Sequence, residues 1–399
     1  MSTAVWTNRF EMTSVADTTL KAAARFWFVV SLAGQLVFAF AVATFYGLSA
    51  LRGDYHGWSK SITHGHVPGD TMGNFAVAMH LASAAAIMFS GGVQLIPALR
   101  SRFPVFHRWN GRTYMLAALA LSAAGMYMHW VRGSVGDVIQ KVGGSLNTVL
   151  IWTFAALALR YALARDFRTH RRWALRLFIV VSGSWFYRII FFLTFLIMKR
   201  PVGFDPTTFS GPYLTFMAFA NYLLPLAILE IYLHAKDHGG AFQRMATAGL
   251  LFVVTLGMAA GLFAVTMAIW VPDVKAGFDP RISIDETLTT TIASGGIDAA
   301  VVQYYDLKAH QAGKYNFDED QLNTLGYKML RANKFNEAVR VLQLNVEAYA
   351  KSSNVYDSLG EAYMNAGNKP LAIANYKKSL ELNPRNVGAV KMLQKMGAP

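Results

Sequence analysis

Five basic side chains in apolar surroundings are the groups of this sequence best suited to chemistry. His80, His129 and Arg188 fall inside long apolar stretches, and His107 and His170 stand near the start of two such stretches. Imidazoles on facing helices can hold a haem iron from both sides, and an arginine can pair with haem propionates or a quinone oxygen. Because ionisable side chains are costly in lipid, each is expected to have a partner or a function.

Seven apolar stretches must position these residues. Each has about 20 residues or more, as a helix that crosses a hydrocarbon core of about 30 Å requires. They are residues 26–51, 74–99, 113–131, 146–164, 173–198, 213–234 and 245–271. The first is interpreted as an uncleaved span rather than a signal peptide. Pro225, inside the sixth, predicts a kink.

Charge is distributed unevenly along the chain. The net charge of +14 resides mostly in the apolar part, where basic residues cluster after the second, fourth and sixth stretches. This positive-inside pattern places the N-terminus in the cytoplasm and, after seven crossings, the C-terminal part in the periplasm or outside the cell. A bacterial inner-membrane protein is expected. A nucleic-acid partner is not expected, because the charge does not form a basic face on a polar domain.

The rise of about 1.5 Å per helical residue separates the candidate residues into two levels. His80, His129 and Arg188 share a level near the outer face, and we call them the outer cluster. His107 and His170, the inner pair, lie more than about 20 Å away. No single metal ion can join the two levels, and no metal site is assigned. The inner histidines also fit a structural role, in which they bind backbone carbonyls or lipid headgroups.

A soluble composition begins after Asp279-Pro280, and a period of about 34 residues appears there. Leu325-Gly326 recurs as Leu359-Gly360, and Leu342 as Tyr376. The period resembles the tetratricopeptide repeat, and residues 296–309 resemble half of a degenerate earlier repeat. Such repeats present a concave face to a peptide or protein partner. We expect that face near Asn323, Tyr327, Asn354 and Asp357, the alternative being a stabilising cap without a ligand.

Several residues of the membrane part carry a family resemblance. They are His80, Gly91-Gly92, Gln94, Arg100, the turn HRWNGRTY at 107–114, the turn HRRWALR at 170–176, and Arg188. This pattern resembles a family of bacterial multi-pass membrane proteins known as domain of unknown function 2306. The resemblance covers about 75–195 and implies an architecture without an activity. His129 and the repeats lie outside the pattern.

A looser similarity links the chain to the two-haem transmembrane cytochromes b. In these proteins histidines on alternate helices hold one haem near each membrane face. His107 and His170 fit the inner pair of such a protein. An outer pair would need His80 and a histidine on the fourth span, which has none, so His129 would have to substitute from a different helix.

The predicted fold is all-α: a seven-helix transmembrane bundle over residues 1–272, followed by a soluble tetratricopeptide-repeat domain over 280–399. Three functions remain open. The first is electron transfer by a b-type haem or quinone, with the repeats docking an extracytoplasmic partner. The second is a non-catalytic membrane scaffold or assembly factor. The third is transport of a small anionic solute through a cavity lined by Arg188 and the histidines. Whether the protein is an enzyme is left open.

Overall fold

The computed structural model describes all residues except 1, 54, 56–57, 59–61, 63, 134–135, 206–208 and 399, with side chains from residue 14 onward. The chain divides into two compact units, Met1–Phe278 and Asp279–Pro399. Helices dominate both units, which confirms the predicted all-α class.

The first unit, which we call the membrane unit, is built from long helices joined by short loops. Its α-helices are α1 (Ser2–Val42), α2 (Leu48–Leu51), α3 (Thr71–Gln94), α4 (Pro97–Arg102), α5 (Pro104–Tyr127), α6 (Val138–Leu163), α7 (Phe167–Val181), α8 (Gly183–Met198), α9 (Pro212–His238), α10 (Ala241–Val265) and α11 (Val271–Phe278). Single π-helical turns extend α1, α5 and α10 at Ala43–Gly47, Met128–Gly133 and Thr266–Trp270.

Six of these helical segments, among the described residues, are long and apolar enough to cross a membrane. They are Ser14–Leu51, Thr71–Gln94, Pro104–Gly133, Val138–Leu163, Pro212–His238 and Ala241–Phe278. The helices α7 and α8 give a seventh span if they are counted together, although they meet at an angle of 52°. The multi-span prediction is therefore confirmed.

The predicted fifth span, 173–198, is not one straight helix. It breaks at Ser182, between α7 and α8, inside a stretch that the sequence shows as continuously apolar. The sixth span carries Pro225, yet α9 continues through that residue as one helix from Pro212 to His238.

The second unit, which we call the repeat unit, begins with a short parallel strand pair. The strand β1 (Ile282–Ser283) pairs with β2 (Tyr315–Asn316) on either side of α12 (Ile284–His310). The helix α12 is interrupted at Gly296, whose φ of 82° is readily adopted only by glycine. The hydroxyl of Thr291, before this break, donates a hydrogen bond of 2.5 Å to Gln303 Oε1, after it. The degenerate early repeat therefore has a helix on both sides of Gly296, where the sequence predicted only the second.

Two helix pairs and a final helix complete the repeat unit. They are α13 (Glu319–Arg331), α14 (Phe335–Ala348), α15 (Ser353–Asn365), α16 (Lys369–Leu382) and α17 (Val387–Lys395). A Cβ atom on Gly326 would lie 2.5 Å from Leu342, and one on Gly360 would lie 3.2 Å from the ring of Tyr376. The recurring glycine thus lets the two helices of each pair approach closely.

Candidate functional site

The first basic turn, HRWNGRTY, contains residues that fasten α5 to the end of α3. The Gln94 amide nitrogen donates to the backbone oxygen of His107 at 3.1 Å. The Asn110 amide donates to Gln94 Oε1 at 2.8 Å and to the backbone oxygen of Ser90 at 3.0 Å. A Cβ on Gly111 would lie 2.8 Å from Gln94 Nε2. We call this arrangement the Gln94 clamp.

The same turn presents a different set of side chains to the outside. Arg108 and Arg112 are exposed, and the Trp109 side chain is 62 % exposed. The Arg112 guanidinium lies 4.8 Å from the centre of the Trp109 ring. Tyr114 points inward instead, and its ring would be 2.8 Å from a Cβ on Gly91. The helical repeat therefore separates the motif into a packing face and a charged aromatic face.

The second basic turn, HRRWALR, makes ion pairs and a hydrogen bond with two neighbouring helices. Arg176 makes a bidentate ion pair with Glu230 on α9 at 2.7 and 2.8 Å, and its guanidinium lies 4.6 Å over the Trp173 ring. Arg172 pairs with Asp237 on the same helix. His170 Nδ1 lies 2.8 Å from the backbone oxygen of Ala158 on α6. This turn therefore braces α7 against α6 and α9.

The inner pair differs in the state of its two rings. A carbonyl oxygen only accepts hydrogen bonds, so Nδ1 of His170 carries a proton, and in the neutral ring Nε2 keeps its lone pair. In His107 it is Nε2 that lies 3.4 Å from the Gln94 amide nitrogen, which fits an acceptor role. His170 thus has the nitrogen that an axial haem ligand needs, whereas His107 would have to leave Gln94. A haem at this level remains a prediction.

The outer cluster occupies one neighbourhood. His80 Nδ1 donates to the backbone oxygen of Leu121 at 3.2 Å, and both Arg188 and His129 are near enough to act on His80 electrostatically. Arg188 donates to the backbone oxygen of Ser184 at 2.8 Å and lies 5.3 Å over the Phe38 ring. The bond to a carbonyl again leaves a lone pair on Nε2 of neutral His80.

Sequence reasoning missed a buried polar layer at the break between α7 and α8. Gln35 is 1 % exposed, and its amide donates to Ser182 Oγ at 3.0 Å. A Cβ on Gly183 would lie 2.7 Å from Asn221 Oδ1 and 3.2 Å from Asn147 Nδ2. These amides approach the backbone because position 183 lacks a side chain. The available signal in the sequence was a glutamine and two asparagines within apolar stretches.

The repeat unit aligns its polar residues along the first helices of successive repeats. Tyr327 donates to Glu361 Oε2 at 2.8 Å, and Asn386 donates to Asp357 Oδ1 at 2.8 Å. Asn323 and Tyr327 on α13 have their counterparts 34 residues later in Asp357 and Glu361 on α15. We call these four residues the first-helix face. Three of the four residues predicted to bind a partner belong to it.

The fourth predicted residue, Asn354, lies beside this face. It donates to Glu319 Oε1 at 2.9 Å. Burial and the hydrogen bond to Glu361 raise the pKa of Tyr327 to about 12. Burial also raises the pKa of Asp357. Among the described residues, no lysine or arginine forms an ion pair with Glu319, Asp357 or Glu361.

Comparisons with known proteins agree with both units. Residues 77–223 match the family described as predicted membrane protein (DUF2306), and residues 353–386 match the tetratricopeptide repeat. The membrane unit therefore contains a domain of that family, and the repeat unit contains a tetratricopeptide repeat, which confirms both resemblances.

One curated relative and the solved structures add little about chemistry. The chain is 37 % identical over 65 residues to Superkiller complex protein 3 of Homo sapiens, a match that covers 16 % of this chain and 4 % of that protein. No solved structure matches the chain significantly. The similarity is therefore local, and no activity of this chain is inferred from that protein.

Proposed function

We propose that this protein is a non-catalytic membrane scaffold whose repeat unit docks a protein partner on the first-helix face. The observation that carries this proposal is a set of three carboxylates: Asp357 and Glu361 on this face, and Glu319, which lies one helical turn before Asn323. Their hydrogen bonds come from two asparagines and a tyrosine, none of which neutralises a negative charge. Tetratricopeptide repeats generally bind partners through the concave surface that the stacked repeats form.

The charge of the first-helix face selects the class of partner. Hydrogen bonds that involve a charged group contribute about 1.5–3 kcal/mol, more than bonds between neutral groups. A lysine or arginine from a partner would add such a bond. It would also neutralise a carboxylate that forms no ion pair within the described residues of the repeat unit. The partner segment is therefore basic.

In this proposal the membrane unit is an anchor. The Gln94 clamp and the brace at Arg176 engage the two basic turns in helix packing, which supports structural roles for His107 and His170. The arginine-rich loops favour a cytoplasmic N-terminus and a repeat unit outside the cytoplasm in a bacterial inner membrane. Alkaline phosphatase fused after residue 399 would be active in that topology, and a cytoplasmic reporter fused there would be active in the opposite one.

A second candidate function is binding of a haem or quinone at the outer cluster. One observation favours it: His80 donates its Nδ1 proton to Leu121, as metal-bound histidines commonly donate theirs to a carbonyl. Arg188 nearby could pair with a carboxylate or a quinone oxygen. A Soret band that shifts on reduction and disappears in His80→Ala would support a haem, and a colourless preparation would end that possibility.

Site-specific photo-crosslinking in the full chain tests the scaffold proposal. A photoreactive residue replaces the exposed Asn354, beside the first-helix face, and in a matched variant it replaces the exposed Lys377 on α16. We expect a discrete adduct with one protein from position 354 and none from position 377. Adducts at both positions, or at neither, would contradict docking on this face.

A further inference from the structure

A corner between the second and third spans combines exposed aromatic rings with exposed arginines. The six-residue helix α4 joins α3 to α5, and Pro97 and Pro104 begin α4 and α5. The side chains of Phe103, Phe106 and Trp109 are 51 %, 47 % and 62 % exposed. Large apolar groups exposed together at a span end mark a surface that contacts something other than water.

The arginines of this corner meet no acidic partner in the described part of the chain. Arg100, Arg102, Arg108 and Arg112 are all exposed, and none forms an ion pair with a described residue. By contrast, four other arginines of the membrane unit bind carboxylates, in the pairs Arg132–Asp70, Arg172–Asp237, Arg176–Glu230 and Arg244–Asp17. We call the four unpaired arginines, together with Phe103, Phe106 and Trp109, the arginine corner.

We propose that the arginine corner binds the phosphate headgroups of anionic phospholipids. Guanidinium groups bind phosphate oxygens in a bidentate manner, and aromatic rings settle at the level of the headgroups. The two kinds of side chain alternate here: Arg112 lies 4.8 Å over Trp109, and Arg102 lies 5.9 Å over Phe103. A lipid supplies phosphate and an apolar boundary together, whereas free phosphate would leave the rings exposed.

The Gln94 clamp makes this corner a defined surface. Gln94 fixes the backbone at His107, and Asn110 ties the same turn to Ser90. The prolines that begin α4 and α5 restrict the backbone on either side of Phe103. Because the backbone of the corner is already fixed, lipid binding loses less conformational entropy, and this favours affinity.

Lipid retention by the full chain tests this inference. The protein is purified in detergent with equal amounts of phosphatidylglycerol and phosphatidylcholine, and the lipids that stay bound are counted by native mass spectrometry. The test variant carries Arg100→Gln, Arg102→Gln, Arg108→Gln and Arg112→Gln. A matched control removes the same charge from exposed positions of the repeat unit, with Lys351→Gln, Lys377→Gln, Arg385→Gln and Lys391→Gln.

We expect the wild type and the control to retain phosphatidylglycerol in preference to phosphatidylcholine. Each Arg→Gln substitution in the corner should lower the preference for phosphatidylglycerol by about fivefold. This factor corresponds to the attraction between one arginine and an anionic membrane surface. A corner variant with four lysines keeps the charge, so it should keep most of the preference and guard against misfolding of the glutamine variant. The proposal would be overturned if the wild type and the glutamine variant retained phosphatidylglycerol equally. It would also be overturned if the control lost as much of this lipid as the glutamine variant, or if inorganic phosphate displaced the lipid completely.

Discussion

Tyr327 donates a hydrogen bond of 2.8 Å to Glu361, a residue 34 positions later in the chain. The two side chains hold equivalent places in successive repeats, so the bond ties the first helices together along one surface. The donor is a neutral phenol, so the bond brings no positive charge to Glu361. The repeat spacing thus produces an acidic surface as well as a fold.

Gly326→Ala should destabilise the repeat unit more than Gly360→Ala. A methyl group at 326 would lie 2.5 Å from Leu342 Cγ, and overpacking of this kind costs about 1–3 kcal/mol. At 360 the nearest atoms, of the Tyr376 ring, lie 3.2 Å away. The gain of about 0.5–1 kcal/mol from replacing a helical glycine should offset much of that contact.

Thermal unfolding of the full chain measures both glycine effects. Gly313→Ala is the control, because no atom lies within 4 Å of its Cβ position. It should change stability by less than about 0.5 kcal/mol. A Gly326→Ala protein as stable as the Gly313→Ala protein would show that the close approach of α13 and α14 is not required.

Asp357→Asn should make the repeat unit more stable at neutral pH. Burial raises the pKa of Asp357, so the folded state binds its proton more tightly than the unfolded state does. The carboxylate therefore weakens folding as the pH rises from about 4, the unfolded pKa, through the raised folded pKa. Asparagine removes this loss and can still accept the hydrogen bond from Asn386.

Unfolding temperatures between pH 3 and pH 7 test that sign. The difference in unfolding temperature between Asp357→Asn and wild type should appear above about pH 4, grow with pH, and become constant at higher pH. Asp298→Asn, at an exposed position, serves as the control, and no such pH-dependent difference from wild type is expected for it. A variant that is less stable than wild type at pH 7 would mean that the charged Asp357 stabilises the fold.

The ion pair between Arg176 and Glu230 should appear as coupling between α7 and α9. The pair is bidentate, although the Glu230 side chain is 45 % exposed, so solvent screens part of the attraction. A double-mutant cycle with Arg176→Gln and Glu230→Gln should give about 1 kcal/mol of coupling. The same cycle with the exposed Arg171 in place of Arg176 should give none, and equal coupling in both cycles would argue against the brace.

His170→Ala should affect stability rather than colour. The substitution removes the 2.8 Å hydrogen bond to Ala158, which lowers the unfolding free energy by about 1 kcal/mol. Any visible absorption of the purified protein should stay unchanged, because the inner pair has a structural role in this account. Loss of a Soret band in His170→Ala would instead identify the residue as a haem ligand.

Spans and repeats could be predicted from the sequence because each leaves a periodic or cumulative signal. The apolar stretches predicted where most membrane helices end, although α1, α5, α6 and α7 begin earlier than predicted. The period of about 34 residues predicted the helix pairs of the repeat unit. The break at Ser182 left no such signal, since a helix can break within an apolar run when neighbours supply polar groups. Gln35, which is distant in sequence, supplies one of them.

The candidate sites were less predictable, because their properties depend on which partner each residue finds. Arg112 and Arg176 stand in similar motifs, yet only Arg176 meets a carboxylate in the described structure. The difference arises from Glu230 on α9, more than 50 positions away in the chain. Likewise, the backbone bond of His80 to Leu121 determines its tautomer, and no spacing in the sequence specifies that contact.

Peptide binding to the full chain in lipid nanodiscs tests whether the first-helix face docks a basic partner. Fluorescence anisotropy compares a labelled peptide that alternates lysine and alanine with one that alternates glutamate and alanine. We expect the lysine peptide to bind and the glutamate peptide not to bind. We also expect Asp357→Asn with Glu361→Gln to lower the affinity by about tenfold or more, as loss of a hydrogen bond to a charged group implies. Preference for the glutamate peptide, or equal binding by the wild type and the double variant, would contradict the account.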